Sequence, residues 1–459
     1  MLTFSVLAAN AAIGILIFAS GDQNLLASVI LFMSFQIAGA FYAWLIWSRH
    51  PRPVAFVLFV FFCYGLAMPG LFQVRTNQFY WQSSAISSEL AAQAAMLVFL
   101  SVVSCIIGYR LNFRRASITE SKPDESRTPP GLAFATLLVS AGSLAFILII
   151  FALFGPALFF GTRTEISNAA SAVLGSGQFG LTRTLSQSLG ICSLAIAAFV
   201  FFRTRLRNRQ TFIALVLAIC ACSIANFPTS VARYWLVATL FVLMLTVFNR
   251  SYFRFRRAVV VATPIALFLI FPFLGSFNRR GDALNLDFFV VSPTDYMTAG
   301  DLDGFQSLMN VINLVDYQGI SWGGRLLSVL FFFLPRSVWT GKYISTGGDA
   351  AMVANYSYFN ISMPFPGEMY ANFWFVGAII ALLLLGVLVR KLDQTFWNDN
   401  LPPSFQSIFA IVLAGFMPIL FRGSLLGCFP SFAAAVFLIV VWHVAARSLP
   451  AIKIKLRSR

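Results

Sequence analysis

Apolar residues come in runs of about 20, the length that carries a helix across hydrocarbon, separated by short polar stretches. The runs predict spans at 2–20, 25–47, 54–72, 89–109, 131–154, 185–202, 211–227, 231–248, 258–275, 366–389, 404–421 and 425–446. The pattern therefore divides the chain into three parts. Residues 1–275 carry nine spans, 276–365 form one large loop, and 366–459 carry three more spans and a basic tail. Within the loop, DLDGFQSLMNVINLVDYQG sets Phe305, Leu308, Met309, Ile312 and Val315 on one helical face, with Asp301 as N-cap and Gly319 as stop. That helix is too polar to span, so it is expected on the membrane surface or over a cavity. The nine residues Leu326–Leu334 (LLSVLFFFL) reach about half the hydrocarbon thickness as a helix, which suggests a re-entrant element.

Composition agrees with this layout. Of 459 residues, 59% are hydrophobic and only 10% charged, which excludes a soluble globular enzyme. The formal net charge of +16 resembles a nucleic-acid binder's, but the cations are scattered among apolar runs and make no basic groove. Their distribution is topological instead. With twelve spans, 22 Lys and Arg fall on the side of the termini and ten on the other. Cations are retained on the cytoplasmic side, so both termini are expected there. The large loop then lies outside. The six cysteines sit inside apolar runs and read as small membrane hydrophobes.

Several chemistries have no residues to perform them. The two histidines, His50 and His443, both belong near the cytoplasmic face. No HExxH, Cys/His cluster or Ser/His/Asp set is available outside, and no phosphate-binding loop for an ATP-driven engine occurs. No metal site is expected.

The external cations are the informative set, because they persist against the topological bias. Nine of the ten are Arg, a permanently charged fork suited to bidentate contact with phosphate. Arg279, Arg280, Arg325, Arg336 and Lys342 fall in the large loop, and Arg163 and Arg183 flank the other sizeable external loop. Together they suit the pyrophosphate of a lipid-linked substrate; the alternative for each is pairing with an external acid or snorkelling to lipid phosphates. Arg336, beside Pro335 at the end of the half-length run, is the leading functional candidate. Arg75 and Arg422 are assigned to pairing or snorkelling, and Arg233, one turn into its span, is intermediate.

Among carboxylates, Glu368 sits at the mouth of the tenth span in MPFPGEMYANFWFVG. It is open to three readings: general base, clamp for Arg336, or helix-start acid favoured by the dipole. Asp349, after Ser-Thr-Gly-Gly, is open to the same uses. Asp301, Asp303 and the other loop acids read as solvated or capping. Trp81, Trp322, Trp339 and Trp374 fit an aromatic belt, with Trp322 and Trp339 also available for stacking on sugar rings.

GGRLLSVLFFFLPRSVWTGKYISTGGDAAM followed by SMPFPGEMYANFWFVG resembles the Wzy-type O-antigen polymerases, bacterial enzymes that polymerise oligosaccharide repeat units. The resemblance rests on Gly323-Gly324, Pro335-Arg336-Ser337, Trp339, Lys342, and Pro366-Gly367-Glu368 with Tyr370. It departs at Tyr343, where many relatives carry Pro. It implies a GT-C-like membrane glycosyltransferase with about twelve spans. The implied substrates are undecaprenyl-pyrophosphate-linked oligosaccharides, joined at the periplasmic face without nucleotide, cofactor or metal. A flippase and a chain-length regulator are the implied partners. Arg336 and Lys342 are the implied first choices for the pyrophosphate, supported by Arg279, Arg280, Arg325, Arg163, Arg183 and Arg233, with Glu368 or Asp349 for the acceptor and Trp339 and Tyr370 beside the glycan. Two rival readings share the membrane layout: a lipid-linked oligosaccharide flippase, and an O-antigen ligase. The ligase is disfavoured by the lack of an external His, and the flippase by spans nearly free of ionisable residues.

Overall fold

The computed structural model describes residues 2–21, 23–48, 50–81, 87–111, 129–161, 166, 176–204, 206–247, 258–259, 261–274, 292–396 and 403–450. Within them regular structure is helical, with no strand. In chain order the helices are α1 (Leu2–Ala19), α2 (Leu25–Trp47), α3 (Pro53–Thr76), α4 (Ser88–Arg110), α5 (Leu132–Phe154), α6 (Ser176–Arg203), α7 (Arg209–Ala225), α8 (Arg233–Val247) and α9 (Val261–Ile270). Of the shorter helices that follow, three position the site: α10 (Gly304–Gln318), α11 (Gly324–Leu330) and α12 (Thr346–Val353). The last three are α13 (Phe365–Thr395), α14 (Phe405–Arg422) and α15 (Leu425–Ser448). Eight of these helices are long and apolar enough to cross a membrane: α2 to α6 and α13 to α15. Shorter apolar helices (Phe4–Ala19, Arg209–Ala225, Arg233–Val247 and Val261–Ile270) stand at the other four predicted spans. The chain is a multi-pass helical membrane protein.

Proline shapes two of the helices. In α3 the seven residues Phe61–Ala67 widen into a π-helix directly before Pro69, and Ala266–Ile270 do the same before Pro272. A proline ring collides with the carbonyl four residues back and offers no N–H. Widening the preceding turn relieves both faults without ending the helix. Small residues set the closest contact: a Cβ on Gly108 of α4 would overlap the Leu383 carbonyl of α13, and one on Gly386 would overlap the Cys105 carbonyl. Glycine lets these two backbones meet where no driving force from water exists.

One end of the bundle is fastened by a buried carboxylate. Asp393 of α13 accepts from the backbone N–H groups of Val54 (2.8 Å) and Ala55 (3.3 Å) and from the Tyr109 hydroxyl (2.9 Å). It thereby caps the N-terminus of α3, whose first turn begins with a proline. The opposite end carries α10 to α12.

The amphipathic helix differs from its expectation. It starts at Gly304 rather than beside Asp301, although Gly319 does end it, with φ +78°. The apolar face is buried as expected, but so are Gln306, Ser307 and Asn310 on other faces. The first two turns of the helix are enclosed by protein, because their polar side chains find partners inside the molecule, while Asn313, Asp316, Tyr317 and Gln318 stay exposed. The run Leu326–Leu334 also differs: its helix ends at Leu330 and residues 331–333 form turns.

Candidate functional site

The turn after α11 owes its shape to Lys342. Its buried ammonium donates to the carbonyls of Phe331 (3.1 Å), Phe332 (2.8 Å) and Leu334 (2.8 Å). An ammonium has three donors, so these contacts use all of them. Burial and, second, the neighbouring Arg336 push its pKa below the ordinary lysine value. Lys342, expected to contact pyrophosphate, is therefore committed to backbone.

The residue it presents is Arg336. This side chain is exposed, donates once, to the Tyr343 carbonyl (3.2 Å), and has no carboxylate within ion-pair distance among the described residues. Most of a five-donor fork is left open beside a second cation. An anion with several oxygens fits that arrangement.

Tyr343 joins this reversal to α11. Its N–H donates to Ser328 Oγ (3.1 Å), and its ring lies under the Arg325 guanidinium, 4.7 Å from the centroid. Proline at this position supplies neither group. Gly324 is required by the same ring, since a Cβ there would sit 2.6 Å from Tyr343 Cε2. Arg325 itself is 4% exposed and pairs with Asp349 in the first turn of α12, while Gln318 accepts a further bond at 3.2 Å. These two candidates thus meet each other, and Asp349 keeps 14% exposure.

Glu368 is 1% exposed and accepts from Thr346 Oγ1 (2.6 Å), Ser424 Oγ (2.8 Å) and Leu425 N–H (2.8 Å). Of its three readings the clamp on Arg336 is not formed. A helix-start role is, but for α15 rather than its own helix. It draws together α12, α13 and α15. Five residues on, α13 breaks: Phe373 and Trp374 leave helical geometry, Trp374 with φ +60°. The loop before α11 fills the gap, Ser321 donating through N–H and Oγ to the Ala371 carbonyl (both 3.1 Å). Asn372 accepts from Leu326 N–H (3.2 Å). Tyr370 is buried, and its hydroxyl accepts from Trp374 Nε1 (3.0 Å), so it presents no ring to a glycan. Trp339 is half-buried with its edge toward Phe331.

A second cluster was not anticipated as a unit. Arg233 pairs with Asp301 and donates to the Phe271 carbonyl (2.8 Å). Arg422 donates to the carbonyls of Asp301 (3.0 Å) and Gly300 (2.6 Å) and approaches Asp303 at 3.5 Å. Tyr234 donates to Asp301 (3.0 Å), and Asp303 accepts from Ser362 and from Trp81 Nε1 (2.9 Å). Asp301 and Asp303, read as solvated or capping acids, are instead buried partners of two arginines. Their separation of 68 to 121 positions from those arginines hid the pairing; only the rarity of Arg at such depth in apolar sequence hinted at it.

Arg183 donates to the Ser230 carbonyl. Arg163, Arg279 and Arg280 lie outside the described residues. Among the described residues no three His, Cys, Asp or Glu side chains converge as a metal site would need. Comparison with known proteins adds no relative: no family model, curated protein or solved structure matches the chain.

Proposed function

We propose that this protein is a GT-C-like polymerase of the bacterial inner membrane. It joins undecaprenyl-pyrophosphate-linked oligosaccharide repeat units into O-antigen or a related surface polysaccharide. In this reading the chain crosses the bilayer about twelve times with both termini in the cytoplasm, and α10 to α12 face the periplasm. The observation that carries the reading is Arg336: exposed, with no carboxylate within ion-pair distance among the described residues, and presented by a lysine whose own protons are spent. The sequence resemblance around residues 320–377 supplies the substrate class.

The chemistry needs a cation there. The bond from the donor sugar's anomeric carbon to the lipid pyrophosphate breaks, and a bond to the acceptor hydroxyl oxygen forms as that hydroxyl loses its proton. Negative charge grows on the departing pyrophosphate, and a preoriented guanidinium stabilises it more in the transition state than in the ground state. Asp349, exposed by 14% where Glu368 is exposed by 1%, is the carboxylate better placed to orient the acceptor. A flippase supplies the lipid-linked units and a chain-length regulator sets product size.

One observation favours a transporter instead: α13 is interrupted, as helices at transport sites are. Against it, the polar groups at the break are occupied by Ser321 and Leu326. Deletion of the gene in its host decides. Single-repeat surface glycan supports the polymerase. Lipid-linked units trapped at the cytoplasmic face support the transporter, and long polymer left unattached supports a ligase.

A further inference from the structure

Beyond α12 the chain builds an aromatic surface whose parts are held more firmly than a membrane belt requires. Trp81 stacks nearly parallel on Tyr356 (5.6 Å between centroids, 23°) and on Tyr358 (5.7 Å, 14°), with Tyr80 edge-on at 4.8 Å. Tyr358, Phe359 and Tyr80 are each between 42% and 51% exposed. Trp81 is fixed on several sides: its Nε1 donates to Asp303, its N–H donates to Gln306 Oε1 (3.0 Å), and its carbonyl accepts from Gln306 Nε2 (2.6 Å). The Tyr356 hydroxyl donates to Asn310 Oδ1 (3.2 Å). The other end of that amide, Asn310 Nδ2, is buried with no hydrogen-bond partner, and the whole residue is 7% exposed.

A buried donor without a partner is costly and marks a place where a ligand or water completes the structure. An aromatic Trp at a membrane interface needs only its polar tip in water. Here the indole is oriented by Asp303, a buried carboxylate that also accepts from Ser362 and lies 3.5 Å from Arg422, so the ring is held before anything binds. Flat aromatic faces beside amide and hydroxyl groups suit one ligand chemistry in particular. A sugar ring lays its C–H face on the π cloud and turns its hydroxyls to polar groups at the rim.

We infer that Trp81, Tyr358 and Asn310 form a glycan-binding subsite, separate from the Arg336 anion site. It holds a saccharide ring of the chain being extended. The two sites share no residue: Arg336 and Tyr343 precede α12 in the chain, and Tyr356 and Tyr358 follow it. Donor pyrophosphate and saccharide are thereby engaged at different points. This assignment of a glycan as ligand rests on the polymerase reading, yet it is tested by binding rather than by polymerisation.

The probe is the repeat-unit oligosaccharide released by mild acid from the lipid carrier of the host, which bears no pyrophosphate. Binding to the purified full-length protein in lipid nanodiscs is followed by saturation-transfer NMR and calorimetry. Tyr358→Ala is expected to weaken affinity about tenfold, while Tyr358→Phe, which keeps the ring, stays near the unaltered protein. Arg336→Ala should bind the free oligosaccharide normally. Equal affinity for Tyr358→Ala and the unaltered protein, or no binding by the unaltered protein, overturns the subsite. Full-length surface polymer in cells deleted for the gene overturns the polymerase reading instead, so the two failures are distinct.

Discussion

Two groups of arginines occupy the same end of the bundle and meet opposite fates. Arg233 and Arg422 are enclosed with Asp301 and Asp303, each guanidinium also donating to backbone carbonyls. Arg336 stands exposed with one hydrogen bond, to Tyr343. Arg325 belongs with the first group through Asp349. Position in a loop rich in cations therefore says little about role. What separates support from chemistry is whether the protein has already supplied the counter-charge. A guanidinium with its carboxylate is finished; one without is available to a substrate.

That contrast can be broken by removing counter-charges and watching stability, in order of expected effect. Asp303→Ala removes the buried acceptor of Trp81 Nε1 and Ser362 and the carboxylate 3.5 Å from the partly exposed Arg422, and donors left without a buried acceptor cost about 1–3 kcal/mol each. The expected result is a sharp fall in folded protein by fluorescence-detected size exclusion; a melting temperature near that of the unaltered protein would show the cluster to be idle. Glu368→Ala removes the acceptor for Thr346, Ser424 and the Leu425 N–H, with a smaller cost of about 1–3 kcal/mol. Glu368→Gln, which keeps an acceptor, should recover part of the loss, and no recovery would argue for a role of charge itself. Lys342→Met frees three carbonyls at the turn and is expected to cost about 1–2 kcal/mol. Its glycan product should fall further than its thermal stability does, because Arg336 loses its mount. Parallel loss of the two would place Lys342 outside the site. Arg336→Ala, at an exposed position, should change stability by no more than about 0.5 kcal/mol.

Much of the fold was legible because bilayer-length apolar runs have few other outcomes. Every predicted span has an apolar helix standing on it, and Gly319 ends α10 where its sequence position implied. The surroundings of α10 were not legible. The sequence places Gln306, Ser307 and Asn310 on a helix at the membrane surface or over a cavity, but Trp81, Ser362 and Tyr356 meet them in the interior. Polarity along a helix records a need for hydrogen bonds, and water is only one way to meet it. For the same reason Asp301 and Asp303 looked like caps, since their arginines arrive from distant helices. At the candidate site, the Pro-Arg pair singled out Arg336, whereas Lys342 and Glu368 were indistinguishable in sequence from reactive groups. Only the three carbonyls around one and the two hydroxyls and backbone N–H around the other reveal them as supports. The break in α13 was invisible too, because an uninterrupted apolar string does not show that Ser321 takes over the carbonyl of Ala371.

The central claim is that the exposed guanidinium of Arg336 holds the leaving pyrophosphate. Its most direct measurement is the glycan ladder of cells whose only copy carries Arg336→Ala, set beside the membrane level of the protein. The account predicts single-repeat glycan with the protein present at its usual amount, and strong impairment of Arg336→Lys, whose point charge does not reproduce the fork. A full-length ladder from Arg336→Ala would contradict it.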